Sequence, residues 1–309
     1  MTGFWFRLIM LWAVICGGLV GISVLVGRGL PPEREMLFST SFDLSDLNIY
    51  RLNLSRQILR PLTRSLADNP INDFLPEWSP DGQSIVYVSD RDGSYSVYLA
   101  DAQGSSTRPM TGDSDNEYAP AWSPDGQSIV YVKEQDGYPQ LMLYNVAANT
   151  TEQLTDSYRT HVSPVWSPDG ASITFVSDLD ERWNTKIYSL DMATRVITPL
   201  RVGSATDPAW SPDGRYLLYI GGIEKVNFYL WDSTTEQSAL LYEGQFLTND
   251  TPDWSADSAS IIYAAFINGS DTTIYQLNIA ECLAQPAACT PHPLTYRTGF
   301  YRTPRWRPE

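Results

Sequence analysis

Pro76-Glu-Trp-Ser-Pro-Asp-Gly82 is followed by Pro120-Ala-Trp-Ser-Pro-Asp-Gly126, Pro164-Val-Trp-Ser-Pro-Asp-Gly170, Pro208-Ala-Trp-Ser-Pro-Asp-Gly214 and, with two changes, Pro252-Asp-Trp-Ser-Ala-Asp-Ser258. The tryptophans of these segments, Trp78, Trp122, Trp166, Trp210 and Trp254, stand 44 residues apart without drift, and Trp306 follows 52 residues after the last. A period of this size marks an array of supersecondary units, each too small to bury its apolar face alone and each covered by the next. The chain therefore reads as a repeat protein.

Working outward from Trp122, one unit resolves into four short strands. Pro120-Ala-Trp-Ser123 is an apolar strand, and Pro124-Asp125-Gly126 carries turn chemistry, with proline presetting φ and glycine accepting a positive one. Ser128–Val132 is a β-branched and aromatic strand, Asp136-Gly137 centres a second turn, Leu141–Asn145 forms the third strand and Glu152–Thr155 the fourth. Such sheets, stacked radially so that each covers the next, form a propeller. Aromatic positions recur where the sheets should pack: Tyr87, Tyr131, Phe175, Tyr219 and Tyr263 on second strands, and Tyr98, Tyr144, Tyr188, Trp231 and Tyr275 on third strands. These residues and the repeat tryptophans read as core.

The ends set the blade count. Met36–Ser41, Leu47–Leu52 and Ile58–Thr63 match strands two to four but have no Pro-x-Trp strand ahead of them, and the missing strand stands at the other terminus as Pro304-Arg-Trp306. Pairing the two ends completes a sixth blade and removes both exposed sheet edges. The expected fold is all-β, a six-bladed β-propeller of four-stranded blades over residues 36–309, with its terminal strands sharing one blade.

The motif, with Ser89-Asp90 and the Ile/Val-Tyr strand that follow it, resembles the WD-like propeller repeat of the TolB family, which also occurs in the propeller domains of some prolyl-oligopeptidase-type and tricorn-type proteases. The resemblance covers residues 36–309 and implies the propeller fold. The protease relatives carry a hydrolase domain with a G-x-S-x-G nucleophile elbow, a pattern that does not occur in this chain.

The first residues differ in kind. Nineteen uncharged residues, 8–26, are long enough as a helix (about 28 Å) to cross a bilayer, which gives an expected order of cytoplasmic leader 1–7, transmembrane signal anchor 8–26 and linker 27–35. Cys282 and Cys289 bracket a segment that the other repeats lack and read as a disulfide, which persists in an oxidising compartment. A membrane-anchored propeller on the extracytoplasmic side is the expectation. The formal net charge of −15 excludes nucleic acid as a partner, because such binding rests on Lys and Arg neutralising phosphates.

For a site, the loops entering the first strands and the loops between strands two and three share one face about the channel. Five residues before each tryptophan stand Asp73, Glu117, His161, Ala205, Asn249 and Tyr301, and one step nearer stand Phe74, Tyr118, Val162, Thr206, Asp250 and Arg302. They vary while the core positions agree, so they are candidates for a recognition surface. Tyr95, Tyr138, Trp183 and Arg302 are the expected anchors of a bound protein or peptide, from the residue types that dominate binding surfaces. The alternatives are a carbohydrate-active lyase or hydrolase using Asp73, Glu117 and Asp250 near His161, or a spacer without a specific ligand. Asp113-Ser-Asp115-Asn-Glu117 alternates carboxylates as calcium loops do but lacks their glycine, and with His161 and His292 as the chain's only histidines, neither a metal site, a cofactor site nor a catalytic triad is expected. Asp81, Asp125, Asp169, Asp213 and Asp257 read as turn formers on the opposite face.

Overall fold

The computed structural model describes residues 34–41, 46–64, 70–112, 114–182, 184–222, 227–244, 251–267, 271–285, 289–295 and 299–308. Six four-stranded antiparallel sheets make up the propeller. In the first full blade the strands run outward from the axis as Asp73–Trp78, Ser84–Ser89, Ser96–Asp101 and Thr107–Pro109. The inner strands of the next four blades are Glu117–Trp122, His161–Trp166, Ala205–Trp210 and the shorter Asp253–Trp254. Second strands are buried on both faces by neighbouring blades, as the run Ser84–Ser89 shows, so they are written as continuous apolar stretches instead of alternating ones.

The sixth blade closes the ring as expected. Phe300–Trp306 supplies its inner strand and pairs antiparallel with Glu35–Ser41, which continues to Asn48–Asn53 and Ile58–Pro61. Arg307 adds a clasp across the seam: its guanidinium donates to Glu35 Oε2 at 2.9 Å and to the Gly82 carbonyl at 3.1 Å, and lies 5.1 Å from the centre of the Trp78 ring. The carboxyl end thereby holds both its own blade and the next.

The repeated turn explains why Ser-Pro-Asp-Gly is fixed. Ser123 Oγ donates to Asp125 Oδ1 at 2.6 Å and accepts from the Ser128 N–H at 2.9 Å, while Asp125 Oδ1 also accepts from the Gln127 N–H at 3.0 Å. Gly126 occupies φ 68°, the left-handed region that a side chain would disfavour. The same Ser–Asp bond recurs from Ser79 to Asp81, Ser167 to Asp169, Ser211 to Asp213 and Ser255 to Asp257. These serine hydroxyls hold the aspartate carboxyls below their ordinary range. Asp136 and Gly137, both at positive φ, form the two-residue hairpin between Ser128–Gln135 and Tyr138–Asn145.

The aromatic residues expected in the core on the second and third strands are buried there, with Tyr275 packed half-buried against it. Tyr87 opposes Tyr98, Phe175 opposes Tyr188 and Tyr263 opposes Tyr275, with ring centres 5.8 to 5.9 Å apart. In the second and fourth blades the residues opposite Tyr131 and Tyr219 are Met142 and Tyr229. Tyr144 and Trp231 lie two residues further along the same strand face and are buried in the core all the same.

The long step before Trp306 contains a short helix, Ile279–Ala284, capped by the Asn278 side chain on the Glu281 N–H at 3.0 Å. Cys282 is buried with Ile279 and Leu241 in the core between two blades and is joined to Cys289. No helix among the described residues is long and apolar enough to cross a membrane; the leader 1–7, the span 8–26 and the linker up to residue 33 lie outside the described residues. The propeller itself starts one residue earlier than expected, at Glu35.

Deleting Pro304 to Glu309 removes the pairing of Trp306 with Met36 and of Arg305 with Leu37, the buried Trp306 ring and the Arg307 clasp, and the truncated protein is expected to lose its cooperative thermal transition, checked by near-ultraviolet circular dichroism. Asp125→Ala is expected to lower stability by roughly 1 kcal/mol at neutral pH. A depressed folded-state pKa contributes stability above the unfolded value of about 3.9, and that contribution is lost as pH falls through the folded value. The urea stabilities of this variant and the parent should therefore converge as pH falls below the usual aspartate range.

Candidate functional site

Each inner strand presents an unpaired edge to the axis, and this is where proline is tolerated. The residue before it, Leu75, Ala119, Ser163, Asp207 or Thr303, sits at φ 46° to 51°. At each of these points the pairing register jumps, as between Phe74 and Glu77 or Tyr118 and Ala121. These are β-bulges, which re-aim side chains at the cost of local backbone strain. Five repeats of the same bulge bend the inner strands around an axial channel with a volume of about 300 Å³.

The two expected rings part company here. Asp73, Glu117, His161, Ala205 and Tyr301 are 1–4% exposed and lie between blades, so they do not form a surface at the channel mouth. Alternation along a strand sends these side chains to one sheet face, where the neighbouring blade covers them. Asp73 accepts from Arg91 Nη2 at 2.9 Å, and that nitrogen also donates to the Tyr87 hydroxyl at 3.0 Å. Glu117 accepts from the Thr111 hydroxyl. His161 shares a 2.8 Å hydrogen bond with Ser157, and burial pushes its pKa down to about 4 against the opposing pull of Asp178, so the imidazole is neutral near pH 7. Asp73 and Glu117 are held by separate partners and buried between blades, off the channel lining where a glycosidase's acids would meet a sugar. Of the second ring, Phe74, Tyr118, Val162 and Arg302 line the channel. Trp183, Asn249, Asp250 and Asp113 lie outside the described residues.

The loops between strands two and three do join the same face. Tyr95 exchanges backbone hydrogen bonds with the loop entering the next blade, through the Asn116 side chain at 3.1 Å and the Glu117 N–H at 2.7 Å. Their leading acids are structural: Asp90 accepts from Asn72, Glu134 from Asn116 and Asp178 from the Thr160 N–H. The aromatic groups remain open. Tyr95 is 44% exposed and meets Phe74 edge-on at 5.4 Å; Tyr158 is 79% exposed and meets Tyr138 edge-on at 5.6 Å, with Arg182 at 3.4 Å from the Tyr138 hydroxyl. Tyr158 was not among the sequence candidates, because it lies in a loop without a repeat equivalent.

The residues that the motif hid are those between proline and tryptophan. In blade order this position holds Glu77, Ala121, Val165, Ala209, Asp253 and Arg305. Half of the ring is small or apolar, and the other half, contributed by three adjacent blades across the closure, is charged. Glu77 Oε1 accepts from the Trp122 N–H at 3.0 Å and Asp253 Oδ2 from the Trp306 N–H at 2.6 Å, so each carboxylate also ties its blade to the next. Arg305 donates to the carbonyls of Thr251 and Pro304 at 2.8 and 3.0 Å. Desolvation raises Glu77 to about 7 and Asp253 to about 6, with Arg305 opposing both shifts and Asp253 adding to that of Glu77. Glu77 lines the channel and Asp253 is half-buried in the blade before the closing one; protein surrounds both at depth, and the depth governs their titration. Among the described residues no group of three or more His, Cys, Asp or Glu is arranged to hold a metal ion.

Residues 113–309 match the PD40 family, the TolB beta propeller domain. Among solved structures, the chain is similar to TolB from Acinetobacter baumannii, at 18% identity over 89% of this chain and 67% of that one, with a TM-score of 0.75. An Agrobacterium tumefaciens protein assigned as TolB matches at 22% identity over 74% of this chain and 88% of that one, with a TM-score of 0.58. Oligogalacturonate lyase from Vibrio parahaemolyticus matches at 16% identity over 82% and 73%, also with a TM-score of 0.58. At such identities these likenesses establish the fold alone. The repeat motif, the six closed blades and the match over residues 113–309 place this chain in the TolB β-propeller domain family.

Proposed function

We propose that the protein is a binding scaffold that takes a protein or peptide segment on its channel-mouth face, held to a membrane by residues 8–26 with the propeller on the extracytoplasmic side. The observation that carries this reading is the open, aromatic-rimmed mouth: Phe74, Tyr118 and Arg302 lead into the channel, and Tyr95 and Tyr158 stand exposed on the same face, with the half-buried Tyr138 against Tyr158. Tyrosines supply large contact area with few torsions to immobilise, which suits recognition of an extended chain. The Cys282–Cys289 disulfide supports an oxidising compartment. The reading is non-enzymatic: Glu77 and Asp253 each tie one blade to the next, and of the candidate acids of a carbohydrate-active site Asp73 and Glu117 are buried between blades.

A triple variant, Tyr95→Ala, Tyr138→Ala and Tyr158→Ala, removes the three rings while leaving the blade cores untouched. Surface changes of this kind are expected to leave stability within about 0.5 kcal/mol per site. Pull-downs with the full chain should recover a specific partner with the parent and lose it by about ten-fold or more with the variant. Equal recovery of every partner from both proteins removes this face as the binding surface.

A further inference from the structure

The charged sector of the channel has an unbalanced composition. Glu77 and Asp253 bring two carboxylates to the same level of the ring, and Arg305 between them brings one guanidinium, which is already committed to two backbone carbonyls. Among the described residues, the other charged side chains on the lining are Asp207 and Arg302, of opposite sign, and no lysine lines the channel. By that count one negative charge at depth exceeds the positive ones, a costly arrangement away from bulk water. Two things relieve it: a proton on a carboxylate, or a cation entering from the mouth.

We propose that this sector receives a primary ammonium group, the side chain of a lysine or the amino terminus of the bound polypeptide, seated against Glu77 and Asp253. The inference rests on the reading of the mouth as a peptide-binding face and names the chemistry that the channel selects. Glu77 is placed for it: Oε1 is fixed by the Trp122 N–H, which orients the carboxylate, and Oε2 has no hydrogen-bond partner among the described residues. Across the channel, Val165 with Pro120 and Pro164 offers an apolar wall for a methylene stem. A channel of about 300 Å³ lies at the small end of ligand pockets, room for a side chain or a chain end and not for a folded element. An ammonium displaces the proton that Glu77 otherwise retains, so binding releases a proton and weakens as pH falls. The charged groups facing Glu77 are Asp253 and Arg305, and only the carboxylates among these three change charge between about pH 5 and 8.

The test uses the immobilised full chain, about 0.15 M salt to screen the acidic surface, and a chelator to exclude divalent ions. Three pools of otherwise random hexapeptides are compared: amino-acetylated with one fixed lysine, amino-acetylated with norleucine in its place, and norleucine with a free amino terminus. At about pH 8 the lysine pool, the free-terminus pool, or both should be retained about five-fold or more over the acetylated norleucine pool, which identifies the source of the ammonium. The preference should vanish near pH 5.5 and in both Glu77→Gln and Asp253→Asn, each checked for native circular dichroism; these variants keep a hydrogen-bond acceptor for the tryptophan N–H. Should one variant fail to fold, the other and the pH dependence still decide. A preference that survives the variants and the pH change comes from the acidic surface and overturns the inference. Equal retention of all pools overturns it while leaving the peptide-binding face intact, and retention of none overturns the peptide-binding reading itself.

Discussion

The pairing of Phe300–Trp306 with Glu35–Ser41 is the contact on which the rest depends. Blades that bury both faces need a neighbour on each side, and a linear array leaves two faces and two edges uncovered. Closure supplies them by joining residues more than 250 positions apart, and Arg307 extends the seam to Glu35 and Gly82. The same contact builds the channel: Glu77, Asp253 and Arg305 belong to the blades on either side of the seam and to the closing blade itself, so their shared field exists only in the closed ring.

The second constraint is the edge of the inner strand. Proline without an N–H, a left-handed residue before it and the resulting bulge recur in five blades, and each is disfavoured in a paired central strand. Here the edge faces the channel, so the lost donor is not missed, and the bulge turns the left-handed residue before proline to the axis, with Glu77, Val165 and Arg305 after proline beside it. The Ser-Asp turn that follows stabilises the bend locally through the serine hydroxyl and the aspartate carboxylate. Architecture and channel lining therefore come from the same seven residues.

The architecture was legible because it is repetitive. The tryptophan spacing, the turn chemistry of Ser-Pro-Asp-Gly, the orphan Pro304-Arg-Trp306 and the bracketing Cys282 and Cys289 each carry one physical meaning, and the blades, turns, closure and disulfide stand where these signals put them. The candidate site was less legible. Asp73, Glu117 and His161 varied between repeats and were read as exposed, but variation there reflects different buried partners: Arg91 for Asp73, Thr111 for Glu117 and Ser157 for His161. Glu77, Asp253 and Arg305 were overlooked because they occupy the motif's wildcard position. Their signal was the alternation of charged with small residues at one place in an otherwise fixed segment. The bulge that gives this position its direction follows from backbone geometry, which periodicity alone does not specify.

The central claim is that ring closure places Glu77 at a depth where it holds a proton until about pH 7. The folded-state pKa is raised, so the folded protein binds a proton that the unfolded chain releases; the contribution of this one group to stability is fully present below about 4.5 and is lost as pH rises through 7. Glu77→Gln is neutral at every pH and escapes that loss. Thermal unfolding of the parent and the variant at about pH 5 and pH 8 is the direct measurement. The account predicts that the variant gains on the parent between the two, by about 2 °C or more in Tm. A difference in Tm that is the same at both values contradicts a buried, proton-holding Glu77 and with it the charged sector of the channel.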